Sequence, residues 1–193
     1  CGYGTVHCQA LAYYFRERMS DFLVLLYLFV PAFVANSTPV LVCHVPVLKK
    51  WNTPVHAGLF GSHKTYRGLL FGVLFGVLVS LLQYALRDVE SFASITLLHD
   101  TLQQSVLVGF LLGFGALAGD AAESFVKRRM HMAPGKALPF WDGADYMLGS
   151  MLLLSPIYLI PLSGIVFLLI VGPLLSLCAN CVSYWLGLKE VWY

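Results

Sequence analysis

Gly68-Leu-Leu-Phe-Gly72-Val-Leu-Phe-Gly76-Val-Leu-Val-Ser80-Leu-Leu-Gln83-Tyr-Ala-Leu86 is an unbroken run without a charged residue. A helix that crosses the hydrocarbon core of a bilayer needs roughly 20 such residues. No apolar/polar alternation of the strand type competes with the helical reading. On either side lie further apolar stretches, at about Asp21–Val42, Thr101–Gly119, Tyr146–Ile160 and Ser163–Leu186. The one that begins at Tyr146 is short, and Pro161-Leu-Ser-Gly164 makes a tight turn into the last. The pattern predicts an all-α integral membrane protein of about five transmembrane helices. Its charges gather into two cytoplasmic loops that look like an active site.

Composition points the same way. The chain of 193 residues is 59% hydrophobic and 11% charged, with a mean hydropathy of +0.76. A soluble domain carries about 25% charged residues, so lipid must be the solvent for much of this surface. The net charge of +2 is small, and no basic patch studded with aromatics occurs. Both features exclude nucleic acid as a partner. Among five cysteines, Cys178-Ala-Asn-Cys181 is formally C-x-x-C. It lacks a partner pair and sits inside an apolar run, which favours packing over redox or zinc chemistry. The six histidines are scattered, with no helical ligand pair.

Orientation follows from the cations. Lys49, Lys50, Lys64, Arg67, Lys127, Arg128, Arg129, Lys136 and Lys189 fall on one side of a five-span chain, which is nine of the twelve. The positive-inside rule makes that side cytoplasmic and the protein a multi-pass component of the cell membrane. Arg16 and Arg18 oppose the rule, and Met19 directly precedes the first span. Residues 1–18 therefore read as an N-terminal extension ahead of a single transmembrane domain, 19–193; a genuine amphipathic N-terminal segment is the rival reading. Gly68, Gly72 and Gly76, and likewise Gly109/Gly113 and Gly115/Gly119, recur every four residues. This spacing lets helix backbones approach closely where lipid provides no hydrophobic drive.

Several segments could carry chemistry. In Pro31-Ala-Phe-Val-Ala-Asn36-Ser-Thr-Pro39, two prolines interrupt an apolar run. Such irregular backbone is tolerated where it is buried in protein or lines a wet cavity, and Asn36 would line one; a plain proline kink is the rival reading. Gly61-Ser-His-Lys64-Thr65-Tyr-Arg67-Gly68 opens a helix, and helix N-termini with flanking cations suit phosphate oxygens. Gly58 is spaced as in a P-loop, but His63 replaces the second glycine and no strand precedes it, so that motif is rejected. Asp120, Glu123, Ser124 and Lys127 share one helical face, with Arg128 adjacent. Asp142 and Asp145 form a second acidic pair. Carboxylates at a membrane boundary are costly and usually functional. Beside lysine and arginine they suit Mg²⁺ held jointly with substrate phosphates; helix caps and dipole pairs are the bland alternative.

These segments, with Asn180-Cys-Val-Ser-Tyr184-Trp-Leu-Gly-Leu-Lys189, resemble the CDP-archaeol synthase family of membrane CTP:lipid-phosphate cytidylyltransferases. Those enzymes are similar to phosphatidate cytidylyltransferase. The resemblance covers residues 19 to 192. It departs at His63, where the family commonly has Gly, and at Trp141-Asp-Gly-Ala-Asp145, often Leu-Asp-Gln-Leu-Asp in the family. It implies joining CTP to a dialkyl or diprenyl glycerol phosphate, with release of pyrophosphate. It also implies Mg²⁺ on Asp120, Asp142 and Asp145, with Glu123 as a further ligand. Lys64 would act in catalysis; Lys64, Arg67, Lys127 and Arg128 would hold phosphates, and Asn36, Thr65 and Ser124 would complete the substrate site. The same chemistry on diacyl phosphatidic acid is the alternative within this class. A small lipid or ion transporter, or a subunit without catalysis, are alternatives outside it. The oligomeric state is left open, a homo-oligomer among the options.

Overall fold

The computed structural model describes residues 21–132 and 143–188, and within them every regular element is helical. We label the five longer helices α1 (Asp21–Val42), α2 (Tyr66–Leu86), α3 (Leu102–Arg129), α4 (Asp145–Leu154) and α5 (Leu162–Trp185). Four of them, α1, α2, α3 and α5, are long and apolar enough to cross a membrane. The stretch expected to span from Tyr146 to Ile160 is a helix of only 10 residues. At 1.5 Å per residue it covers about half of a 30 Å hydrocarbon core. It stops at Leu154, two residues before Pro156, whose nitrogen supplies no N–H to continue the helical bonds. The expected extension at 1–18 and the cations Lys136 and Lys189 lie outside the described residues.

The prolines of α1 are accommodated by its neighbours. Pro31 has no N–H to give the carbonyl oxygen of Tyr27, and Gln83 of α2 donates its side-chain amide there at 2.5 Å. The helix is locally distorted at Phe29, where φ is −89° and ψ is 0°. Pro39 likewise leaves the carbonyl of Ala35 without its helical donor. That oxygen faces Gly72 of α2, so close that a Cβ on Gly72 would lie 2.9 Å from it. The glycine spacing read from the sequence is thus a backbone contact surface.

A buried core of Leu28, Phe29, Ala32, Leu112, Tyr146 and Met151, among others, joins α1, α3 and α4. Polar groups inside it are satisfied: Ser150 Oγ lies 3.0 Å from Leu112 O and 2.7 Å from Tyr146 O, and Tyr146 donates to Gly172 O at 3.0 Å. That last bond ties α4 to α5, which turns most of its apolar surface outward.

The helix ends fit their surroundings. Thr65 caps α2 by accepting from the Gly68 N–H at 3.1 Å, and Thr101 caps α3 by accepting from Gln104 N–H at 3.1 Å. The apolar run of α3 ends at Gly119 and the helix continues to Arg129, so Asp120, Glu123, Ser124 and Lys127 keep the helical spacing expected of them. Its last turn holds Lys127, Arg128 and Arg129, where cations offset the C-terminal dipole. At about 42 Å, α3 is longer than the hydrocarbon is thick, and its final turns carry the acidic face past Gly119.

Candidate active site at the C-terminal end of α3

Three elements deliver the charged groups to one place. α3 brings Asp120 and Glu123 on successive turns. The first residue of α4 brings Asp145, and the loop ahead of α2 brings Lys64. One carboxylate oxygen from each of Asp120, Glu123 and Asp145 lies within 4.8 Å of the others. Lys64 is ion-paired with Asp120 across 56 residues of sequence. Lys127, nearly buried, pairs with Glu123 at 3.0 Å along the same helix. The acidic face of α3 therefore meets Asp145 from α4 and Lys64 from the loop ahead of α2.

Backbone packing sets the separation of α3 and α4. Gly119 is pressed against the carbonyl of Asp145, and a Cβ on Gly149 would lie 2.8 Å from Gly119 Cα. Gly143, just before α4, has φ of +126°, a conformation that glycine adopts without strain. Its N–H donates to Asp145 Oδ1 at 2.9 Å. Burial and the negative charge of Asp120 push the Asp145 carboxyl up to about 6; the Gly143 bond and the Lys64 charge offset this only in part.

A cleft of about 370 Å³ adjoins the cluster. Its polar end carries His63, Lys64, Thr65 and Asp120, while Leu69, Phe114, Leu117 and Ala118 make an apolar wall between α2 and α3. Sequence reading did not find this wall. Its available signal was the small residues Gly68, Ala118, Ala121 and Ala122, which leave room where α2 and α3 face one another.

The expected site residues divide accordingly. Asp120, Glu123, Asp145 and Lys64 come together, and Thr65 lines the cleft while its oxygen caps α2. Ser124 and Arg128 lie on α3 beside the cluster, both half-buried, without lining the cleft. Asn36 is half-buried on α1, one turn before Pro39, and does not line it either. Arg67 departs from expectation: its guanidinium is buried and donates to Leu48 O at 2.6 Å and to Asn52 Oδ1 at 3.3 Å. Its two terminal nitrogens bond the 48–52 segment, and Arg67 does not line the cleft. Asp142 lies outside the described residues.

A family model described as CarS-like, CDP-archaeol synthase, matches residues 19–193. The chain belongs to the CDP-archaeol synthase family. It is 34% identical over 176 residues to the CDP-archaeol synthase of Methanocaldococcus jannaschii, covering 87% of this chain and 95% of that protein. It is 35% identical over 175 residues to the CDP-archaeol synthase of Methanococcus maripaludis, covering 84% and 92%. A solved structure, described as structural insight into an intramembrane enzyme for archaeal membrane lipids biosynthesis, is similar with a TM-score of 0.62. Identity there is 31%, over 80% of this chain and 90% of that one. Helices long and apolar enough to span, together with this likeness, make the chain a multi-pass membrane protein.

Proposed function

We propose that the chain transfers the cytidylyl group of CTP to the phosphate of a dialkyl or diprenyl glycerol phosphate, forming a CDP-archaeol-type lipid and pyrophosphate. The observation that carries this reading is the juxtaposition of a carboxylate–lysine cluster with a cleft that is polar at one end and apolar along its wall. An amphipathic substrate fits such a cleft: its phosphate meets Lys64 while its chains stay against Leu69, Phe114 and Leu117.

The reaction demands little proton transfer. The second ionisation of a phosphate monoester lies near pH 6, so the lipid phosphate is already a nucleophile at neutral pH. One of its oxygens bonds to the α-phosphorus of CTP. The bond from that phosphorus to the bridging oxygen breaks, and pyrophosphate leaves with the electron pair. Charge neutralisation and alignment are the principal needs. Asp120, Glu123 and Asp145, hard oxygen donors within reach of one ion, fit a divalent metal, Mg²⁺ by our reading, with Asp142 as a further ligand. When bound, that ion supplies charge neutralisation on the phosphate oxygens. Lys64 supplies a second positive charge from the opposite wall, and the Thr65 hydroxyl retains an O–H to donate. Lys127 holds Glu123 in place and Arg128 extends the basic rim. The cation asymmetry of the sequence supports a cytoplasmic orientation for this end, the side that holds CTP.

A transporter would gather its polar groups near the bilayer midplane. Here they gather at one end of α3. The test is CTP consumption and pyrophosphate release by purified protein given either a diprenyl glycerol phosphate or a diacyl phosphatidic acid. Turnover with the ether lipid supports the reading. Turnover with the diacyl lipid alone transfers the enzyme to the alternative substrate, and turnover with neither removes it.

A further inference from the structure

Arg67 lies in the first turn of α2, and it is only 4% exposed. Both of its bonded groups, Leu48 O and Asn52 Oδ1, are neutral. Arg67 takes part in none of the three ion pairs found among the described residues. A buried guanidinium held by neutral acceptors is costly, so its retention calls for a physical reason. The two acceptors supply one, because both belong to a single stretch, 48–52.

That stretch leads directly into a short antiparallel pairing. Tyr66 N–H donates to Thr53 O at 3.1 Å, and Val55 N–H donates to Lys64 O at 2.8 Å, around a bridge between Pro54 and Thr65. Residues 53–55 are thus tied to the backbone from which the Lys64 side chain departs. Arg67 fastens the segment just before them to the same helix turn. A planar fork can reach a carbonyl and an amide at once; a lysine ammonium is a point charge and does not reproduce that geometry.

We infer that Arg67 is a positioning residue: it clamps the 48–55 strap onto the start of α2 and thereby fixes where Lys64 meets Asp120. The kinetic consequence rests on the cytidylyltransferase reading; the clamp itself does not. Hydrogen exchange on the full-length purified protein tests the clamp. In Arg67→Gln, and also in Arg67→Lys, the amides of Val55 and Tyr66 are expected to exchange roughly tenfold faster or more, as loss of a charged hydrogen bond implies. Kinetics test the consequence. The KM for CTP is expected to rise several-fold with kcat within about twofold, because bound substrate must then order the strap.

Unchanged exchange in Arg67→Gln overturns the inference. So does full recovery of exchange and KM in Arg67→Lys, which would mean that charge alone matters. A collapse of kcat with unaltered exchange would place the guanidinium on the reacting phosphates instead. Asn52→Ala removes only the longer bond, and is expected to raise exchange by a smaller factor if Arg67→Gln fails to fold. If wild-type protein shows no CTP turnover, the proposed function fails alone, and exchange still decides the clamp.

Discussion

Gly119 of α3 lies directly against the backbone carbonyl of Asp145 at the start of α4, with no room for a side-chain carbon between them. This contact sets how far Asp145 stands from Asp120, and so links helix packing to the carboxylate cluster. Gly119→Ala is expected to push the start of α4 away and to weaken divalent-metal binding by tenfold or more. Overpacking costs about 1–3 kcal/mol, so the protein should still fold. Metal titration followed by thermal stability checks it. Gly113→Ala is the control, since a Cβ there meets neighbours no closer than 3.5 Å. Equal metal affinity in the two variants would detach the packing from the site.

A second prediction concerns the proline-broken helix. Gln83→Leu removes the donor that reaches the part-buried Tyr27 O. Water-based mutational series put such a loss at about 1–3 kcal/mol, whereas interhelical bonds measured inside membranes average about 0.6 kcal/mol. A loss near 1 kcal/mol in detergent unfolding is therefore expected. Leu82→Ala, on an exposed face, should change little. Indistinguishable unfolding of Gln83→Leu and wild type would mean that the Tyr27 carbonyl finds another donor.

The spanning helices were legible because an uncharged run such as 68–86 has few other stable forms in lipid. The acidic face of α3 was legible for a related reason, since Asp120, Glu123 and Lys127 keep helical spacing on a chain with few acids. Two things were not. Helix ends depend on capping and on prolines, so the end of α4 at Leu154, six residues short of Ile160, is not readable from its apolar run. The direction of a side chain depends on its partners in space. Arg67 beside Lys64 looked like a phosphate ligand, but the loop that returns to it offers carbonyls at 2.6 Å and 3.3 Å. Sequence spacing carries no trace of that return.

The pH response follows from Asp145, which lies outside the four long helices. Its carboxyl titrates near 6 in the folded chain against an ordinary value of 3.8. A carboxyl raised on folding favours the folded state while protonated. That contribution is complete below 3.8 and is lost as pH rises through about 6. At neutral pH the metal-free fold thus carries an ionised, partly desolvated Asp145 beside Asp120. A divalent ion relieves this repulsion, so the rise in melting temperature on adding Mg²⁺ should be large at pH 7.5. It should shrink steadily as pH falls from 6.5 to 5, where protons compete for the same oxygens. A Mg²⁺ effect that is flat across this range would remove Asp145 from the metal-binding set.

Asp120→Asn bears most directly on the activity. Were Asp120 only a helix-terminal acid, asparagine would be tolerated at a cost of about 1 kcal/mol or less. The structure disposes of that role, because α3 runs on to Arg129 and Asp120 lies well inside it. Its carboxylate instead faces Lys64 and the oxygens of Glu123 and Asp145. Asparagine keeps the shape and deletes the charge. Both Lys64 and Asp120 are partly exposed, so loss of their ion pair should cost little stability. Loss of a ligand for a metal that stabilises the transition state is worth several kcal/mol, and each 1.36 kcal/mol is tenfold in rate. CDP-lipid formation by Asp120→Asn should therefore fall at least about a hundredfold, with the protein inserted and its unfolding profile near that of wild type. Lys64→Met should lose turnover too while retaining metal-induced stabilisation, which separates the phosphate-facing group from the metal-facing one. Turnover by Asp120→Asn close to wild type at saturating Mg²⁺ and CTP would take Asp120 out of the site, and matching tolerance at Asp145 would take the enzyme reading with it.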